Sequence, residues 1–177
     1  MTTTESSTEI NTGERANLLQ ALAQRRYFLR YTVRELTDEQ AALHPTASQL
    51  CLGGVIQHVS DTERQWVDFI LDGPASSPAS DDAEAMRAWL NRFQMAPGVT
   101  LETILAEYAE VAERTDQVIR DLPDLDITHP LPEAPWYEPG ESWSARQVVL
   151  HIISETAQHS GHADILRESI DGAKSMG

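Results

Sequence analysis

The segment SARQVVLHIISETAQHSGHADILRESIDG, residues 144–172, carries the most complete set of helix signals in the chain. Ser144 and Gln147 form a capping box, in which each side chain bonds the backbone N–H of the other residue, and Gly172 is well placed to end the helix. Between these ends, apolar residues recur at spacings of three and four and form one stripe at about 100° per residue. The segment therefore predicts one long amphipathic helix.

Three other long helices are predicted from the same periodicity. The first runs from about Glu14 to Leu36, the second begins at Ser48 as its N-cap, and the third begins after Thr100. No segment shows the period-two alternation of a half-buried strand. The expected fold class is all-α, a four-helix bundle with additional short helices.

Three connecting segments interrupt the long helices. Thr37 and Gln40 form a second capping box for a short helical turn that Pro45 stops, and another short helix is expected over residues 84–93. Residues 123–142 contain five of the nine prolines. This last segment is therefore expected to be an irregular excursion.

The charge balance limits the classes of partner. Asp and Glu number 28 against 13 Lys and Arg, a net charge of −15, which argues against nucleic acid and against an anionic membrane surface. No apolar run reaches the ~18 residues of a membrane span, and the polar start MTTTESSTEINTG lacks the features of a signal peptide. We therefore expect a cytoplasmic protein with a disordered tail over residues 1–12 and a single domain over residues 13–177.

Two polar side chains lie on the apolar face of the last predicted helix. His159 falls in the middle of the stripe, roughly 20° from Ile152, and Glu155 lies on its flank one turn earlier. A carboxylate that faces a core is costly unless it is paired or coordinated. Because residues four apart on a helix lie one above the other, Glu155 and His159 could share one ligand.

His58 offers a third donor from the second long helix, within LGGVIQHVSDTERQW, residues 52–66. It lies beside the apolar stripe, and the Gly-Gly pair one turn earlier would let another backbone segment come close. With Glu155 and His159 it makes a His₂Glu set, which leaves a fourth zinc position open for chemistry. The alternative is a buried polar cluster of Glu155 and His159 with an unidentified partner and no metal.

The segments LGGVIQHVSDTERQW and ETAQHSGHADILRESIDG resemble the DinB-like superfamily, and within it the branch of mycothiol-dependent S-transferases and the maleylpyruvate isomerase. The resemblance implies an up-down-down-up four-helix bundle with one divalent metal, usually zinc. It places the ligands at His58, Glu155 and His159, the same three residues that the helical projection selects. It also makes a homodimer a reasonable assembly, since relatives often pair.

The resemblance implies a thiol transferase. In the expected reaction mycothiol, a low-molecular-weight thiol, binds the metal as a thiolate and attacks an electrophilic small molecule, which is thereby detoxified. Iron, nickel and manganese are alternatives to zinc for this donor set. Three other functions stay open: transfer with bacillithiol or glutathione, a thiol-dependent isomerisation, and a non-catalytic metal-binding stress-response bundle.

Five further residues are candidates for catalysis or substrate binding. His162, one turn beyond the ligands, could be a catalytic acid–base group, an extra ligand or a surface histidine. Asp164 and Arg167 match positions typical of the branch and are candidates for binding the thiol, with an ion pair between them as the alternative. Trp136 and Tyr137, in the proline-rich excursion, are candidates for a pocket wall.

Four residues near His58 in the sequence are not proposed as metal ligands or as substrate-binding residues. Trp66 lies on the apolar stripe and is expected in the core rather than in a substrate platform. Asp61 and Glu63 could orient a metal ligand, with solvated charges as the default. Cys51, the only cysteine, is expected to be a buried small hydrophobe.

Overall fold

The computed structural model of the chain describes residues 13–74, 87, 91–133 and 137–175. Within them lie four long helices, one short helix and one two-stranded ribbon: α1 Glu14–Tyr31, α2 Asp38–Ala41, α3 Leu52–Asp72, α4 Leu101–Asp121, β1 Thr128–Pro130, β2 Ser142–Ser144 and α5 Ala145–Asp171. In the described part of the chain, no helix combines the length and the hydropathy that crossing a membrane requires.

Helices α1 and α5 lie side by side and run in the same direction. Glu14 at the start of α1 is ion-paired with Arg146 at the start of α5. At the other end, the backbone carbonyl of Thr32 accepts a hydrogen bond of 2.7 Å from Arg167, near the end of α5. The start of one helix therefore meets the start of the other.

Helices α3 and α4 form a second parallel pair. The Ile104 side chain lies beside Gly53 near the two helix starts. Further along both helices, Arg114 and Asp68 form an ion pair of 2.6 Å.

The two pairs run in opposite directions. The His58 ring on α3 lies 4.9 Å from the His159 ring on α5, measured between centroids. Trp66, two turns later on α3, lies 4.9 Å from His151, two turns earlier on α5. The chain is thus an up-down-down-up four-helix bundle, as predicted.

The interior is divided into two apolar clusters. One contains Leu29, Val59, Tyr108 and Leu166, among others, and the second is built from the opposite ends of the same four helices. Each long helix carries buried polar residues between the two clusters; they are Arg26, Ser60, Glu63, Thr115, Thr156 and His159, whereas the buried Arg167 lies further along α5, beside Leu166 of the first cluster. A polar layer therefore crosses the middle of the bundle.

Several predicted helix ends are confirmed and two are displaced. The capping boxes at Thr37 and Ser144 are present, and Thr100 and Gly172 flank α4 and α5 as predicted. Helix α3 begins after Cys51, not after Ser48: the buried Cys51 sulfur accepts a hydrogen bond from the Gly54 N–H, a capping role that cysteine rarely has.

Helix α1 ends at Tyr31, five residues before the predicted Leu36. The Thr32 hydroxyl donates to the Leu29 carbonyl at 2.7 Å, and the following N–H groups bond three residues back rather than four. Glu35 then adopts a left-handed conformation with φ of 60°, which turns the chain away from the helix axis.

The proline-rich excursion contains a short antiparallel ribbon that the sequence pattern did not predict. His129 of β1 pairs with Trp143 of β2, and each strand has only three residues, too few for an alternation to be recognised. The expected tail over residues 1–12 lies outside the described residues, as does most of the expected short helix over residues 84–93.

Gly54 permits the close backbone approach that the Gly-Gly pair suggested. A Cβ atom at Gly54 would lie 1.9 Å from the Phe93 carbonyl oxygen, so only glycine fits against this backbone. The contact holds the Phe93 ring 4.3 Å from the His58 ring. The lack of a side chain at position 54 therefore allows Phe93 to pack against His58.

We expect Gly54→Ala to destabilise the protein by about 1–3 kcal/mol, because backbone atoms must move to admit the methyl group. Gly161→Ala is the matched control: Gly161 is also inside a helix, but a Cβ there meets no atom within 4 Å. The control should stabilise by about 0.5–1 kcal/mol through helix propensity. Urea unfolding measures the change in unfolding free energy of each variant, and equal changes would contradict the predicted clash between a methyl group at position 54 and the Phe93 backbone.

Candidate metal centre

Three donor side chains meet where α3 and α5 face each other. One ligand atom from each of His58, Glu155 and His159 lies within 4.8 Å of the other two. Glu155 and His159 are one turn apart on α5, and their Oε2 and Nε2 atoms are 3.4 Å apart. Among the described residues, this is the one group of three or more His, Cys, Asp and Glu side chains that could hold a metal ion.

The protonation states of His58 and Glu155 suit a cation. Burial, assisted by the nearby His159, lowers the pKa of His58 to about 4, so this imidazole is neutral at pH 7 and can offer a lone pair. A hydrogen bond from His159 lowers the pKa of Glu155, so the carboxylate is ionised. The site therefore presents an anionic carboxylate beside a neutral imidazole.

The spacing of the donors also fits a metal. Zinc–nitrogen and zinc–oxygen bonds of about 2.0–2.2 Å imply roughly 3.3–3.5 Å between ligand atoms of a tetrahedral site. The separations within the trio reach 4.8 Å at most, a difference that small side-chain rotations can close. His58, Glu155 and His159 could thus hold a divalent ion while a fourth position stays free for another ligand.

His162 lies behind His159 rather than beside Glu155. Its Nδ1 atom is 3.4 Å from Nδ1 of His159, whereas His159 turns its Nε2 atom toward Glu155. A contact at the rear nitrogen orients the ring and fixes its tautomer. Whether His162 also acts as an acid–base group or as a ligand stays a prediction.

Asp164 and Arg167 form hydrogen bonds with residues near the C-terminal ends of α1 and α5. The buried Arg167 donates to the carbonyls of Thr32 and Arg34 at 2.7 Å and pairs with Asp171 at 2.9 Å. Asp164 accepts a hydrogen bond of 2.6 Å from the Ser175 N–H. The ion pair considered between Asp164 and Arg167 is therefore wrong, because each has another partner, and their binding of a thiol stays a prediction.

Glu63 and Asp61 have different surroundings. Glu63 is 1% exposed and forms a buried ion pair with Arg26 of α1, so the default expectation of a solvated charge is wrong for it. Asp61 is exposed and pairs with Arg64 at 2.6 Å. The pair with Arg26 could not be predicted from the sequence pattern, because its two partners are 37 residues apart along the chain.

An aromatic group continues from the trio along the same two helices. Trp66 and Trp143 are stacked with ring centroids 5.1 Å apart and an interplanar angle of 17°. The His151 ring lies 4.9 Å from Trp66 and 5.2 Å from Trp143. Trp66 is half-buried and packs against the second apolar cluster, so the expected core position is confirmed in part.

Of Trp136 and Tyr137, the two residues predicted to form a pocket wall, the structure describes only Tyr137. Tyr137 lines a cavity of about 470 Å³ formed by its own loop, and its ring lies 5.8 Å from Trp143. It therefore extends the aromatic group. Trp136 lies outside the described residues.

In the metal-free protein, His58 is expected to titrate near pH 4 because burial disfavours its charged form. The unfolded chain takes up this proton near pH 6.5, so His58 stabilises the fold above pH 6.5 and loses that contribution as the pH falls toward 4. An NMR titration of the histidine side chains, with His58→Gln to assign the signal, measures the value. Titration of His58 near pH 6.5 would contradict the burial argument.

Comparison with known proteins gives a matching family model and several structures that share the fold, two of which are described below. The family model described as mycothiol-S-transferase matches residues 17–172. A conserved protein from Enterococcus faecalis has a TM-score of 0.64 at 12% identity, covering 92% of this chain and 99% of its own. No curated protein sequence matches this chain.

The second structure is YfiT from Bacillus subtilis, described as a probable metal-dependent hydrolase with an unusual four-helix bundle topology. It has a TM-score of 0.64 at 18% identity and covers 94% of this chain and 91% of its own. At these identities both structures show a common fold.

Proposed function

The chain belongs to the mycothiol-S-transferase family, and we propose that it is a metal-dependent enzyme that couples the sulfur of mycothiol to an electrophilic small molecule. The observation that carries this proposal is the meeting of His58, Glu155 and His159 within 4.8 Å on two facing helices. Zinc is the proposed metal, since three nitrogen and oxygen donors with a free fourth position are typical of catalytic zinc sites.

The three residues would hold the metal and shape its reactivity. A bound divalent metal supplies a Lewis acid that lowers the pKa of a thiol, which otherwise titrates near ~8.5. Because only Glu155 among the three donors is negative, a divalent ion held by them would keep a net charge of about +1, which would favour a thiolate as the fourth ligand. The half-buried position of His58 and the burial of His159 limit the access of water to the reacting sulfur.

The proposed reaction forms one carbon–sulfur bond. The thiol proton is released to solvent, the sulfur forms a thioether with the electrophilic carbon, and a leaving group departs with its electron pair or an unsaturated bond takes up the electrons. The Phe93 ring, 4.3 Å from His58, covers one side of the donor trio. This residue escaped prediction from sequence, because only the packing of Phe93 on Gly54 brings it there.

The test of this function is the rate at which mycothiol couples to a fluorogenic alkylating electrophile. Zinc-loaded protein should accelerate the coupling, chelator-stripped protein should not, and glutathione in place of mycothiol should react near the background rate. Background rates in every tube, despite one bound metal per chain, would favour a non-catalytic metal protein. Hydrolysis of ester or amide substrates with no thiol coupling would favour an activity like that described for YfiT.

We also propose that the protein is cytoplasmic and forms a homodimer. The first part rests on the family, whose thiol co-substrate needs a reducing compartment. Analytical ultracentrifugation tests the second part. A sedimentation coefficient of a 19.7 kDa species at micromolar concentrations would contradict the dimer.

A further inference from the structure

We propose that the electrophile carries a planar apolar group and that this group binds to an aromatic subsite formed by Trp66, Trp143 and His151. The inference rests on the proposed function, which it deepens by naming the class of the second substrate. It follows from where these three rings lie relative to the donor trio, from their partial exposure, and from the uncharged surface that they present.

Two of the subsite rings and the donor trio lie on the facing sides of α3 and α5, and Trp143 adds the third ring from β2. On α3, His58 and Trp66 are eight residues apart, with Thr62 between them. On α5, which runs in the opposite direction, His159 and His151 are also eight residues apart, with Glu155 between them. Because four helical residues rise about 6 Å, the rings begin about one turn from Glu155. A small electrophile whose reactive carbon meets the sulfur could reach them.

The rings are partly accessible from outside the bundle. Trp66, Trp143, His151 and Glu155 all retain an intermediate exposure, whereas Ile152 on the inner side of α5 is 1% exposed. One side of the Trp pair packs on the second apolar cluster. The other side therefore continues the accessible edge on which Glu155 lies.

The three rings of the subsite are uncharged although the protein is strongly acidic and the Glu141 carboxylate borders Trp143. Burial lowers the pKa of His151, so its imidazole is neutral at pH 7 and adds to the aromatic surface of the two indoles. Aromatic faces and edges attract planar rings through offset and edge-to-face contacts. A planar apolar group is thus favoured over an anionic one at this position.

The subsite is held in place before any ligand binds. The Trp143 indole N–H donates to Glu141 at 3.0 Å, and the Phe69 ring lies 5.4 Å from Trp66 in an edge-on arrangement. Little side-chain entropy remains to be lost on binding, because both indoles are already fixed.

The experiment compares iodoacetamide with N-(1-naphthyl)iodoacetamide, which share a reactive group and differ in the naphthyl ring. With zinc-loaded protein and mycothiol, the kcat/KM ratio of the naphthyl compound to iodoacetamide should fall roughly fivefold in Trp143→Leu and in Trp66→Leu. Tyr27→Leu is the control, since Tyr27 is an aromatic residue of α1 that is 60% exposed, and its ratio should equal that of the wild type.

A second measurement does not depend on activity. Binding of the unreactive N-(1-naphthyl)acetamide to metal-free protein, followed by ligand-observed NMR, should weaken in both Trp variants and not in Tyr27→Leu. Unchanged ratios and unchanged binding in the Trp variants would overturn the subsite and leave the transferase standing. If wild-type protein couples neither iodoacetamide compound, the proposed function fails, and the NMR result alone then decides the subsite.

Discussion

The Glu155→Gln variant is expected to bind zinc at least about 100-fold more weakly than the wild type and to lose mycothiol coupling. Changes of residues that merely support a metal ligand already reduce affinity 10- to 100-fold, so the removal of a direct donor should exceed this range. Glu155 is also the one carboxylate of the trio. A neutral amide in its place has nearly the same shape and a much poorer donor oxygen for zinc.

Competition with a chromogenic chelator measures the affinity, and the fluorogenic coupling assay measures the activity. Glu168→Gln is the matched control, because Glu168 is an exposed glutamate of the same helix, 3.0 Å from Lys174. The control should keep both properties. If the two variants bind zinc equally well, Glu155 is not a metal ligand, and the proposed transferase loses its physical basis.

The helices and the donor trio could be predicted from sequence because both depend on local periodicity. Apolar spacing and the Ser144–Gln147 box define α5, and the positions of Glu155 and His159 on its face follow from a fixed rotation per residue. His58 could be included because its helix has an apolar stripe of the same kind. The proposed ligand set itself stays a prediction until a metal is measured.

Contacts between distant segments could not be predicted from sequence. The stacking of Trp66 on Trp143 joins residues of α3 and β2, and it depends on a ribbon with no recognisable strand pattern. The burial of Glu63 depends on how α1 packs against α3, which places Arg26 opposite it. A periodicity gives the face on which a residue lies, but it does not give the residue that it meets.

The Glu63→Ala variant is expected to lose about 3–5 kcal/mol of unfolding free energy, because it leaves the Arg26 guanidinium buried without its main partner. Arg26 is 6% exposed and Glu63 is 1% exposed, so water can replace little of what is lost. The remaining partner of Arg26 is Asp116 at 2.7 Å. Urea unfolding of the metal-free protein measures the change.

An exposed pair on α3 and α4 provides the matched control. Asp68 and Arg114 join two helices at 2.6 Å, as Glu63 and Arg26 do, but their side chains are 49% and 44% exposed. Asp68→Ala should therefore lower stability by less than about 1 kcal/mol. If Asp68→Ala and Glu63→Ala have equal effects, then water reaches the buried pair and the polar layer is hydrated.

The double variant Arg26→Met with Glu63→Leu separates the ion pair from the burial of an unpaired charge. Replacing both partners by apolar side chains of similar size removes the desolvation penalty together with the attraction, so most of the stability lost in Glu63→Ala should return. Asp116 keeps a contact with Arg120 at 3.4 Å and is partly exposed, so it can be solvated. A double variant as unstable as Glu63→Ala would mean that the pair contributes net stability. The polar layer would then hold α1 against α3, rather than merely be accommodated between the two apolar clusters.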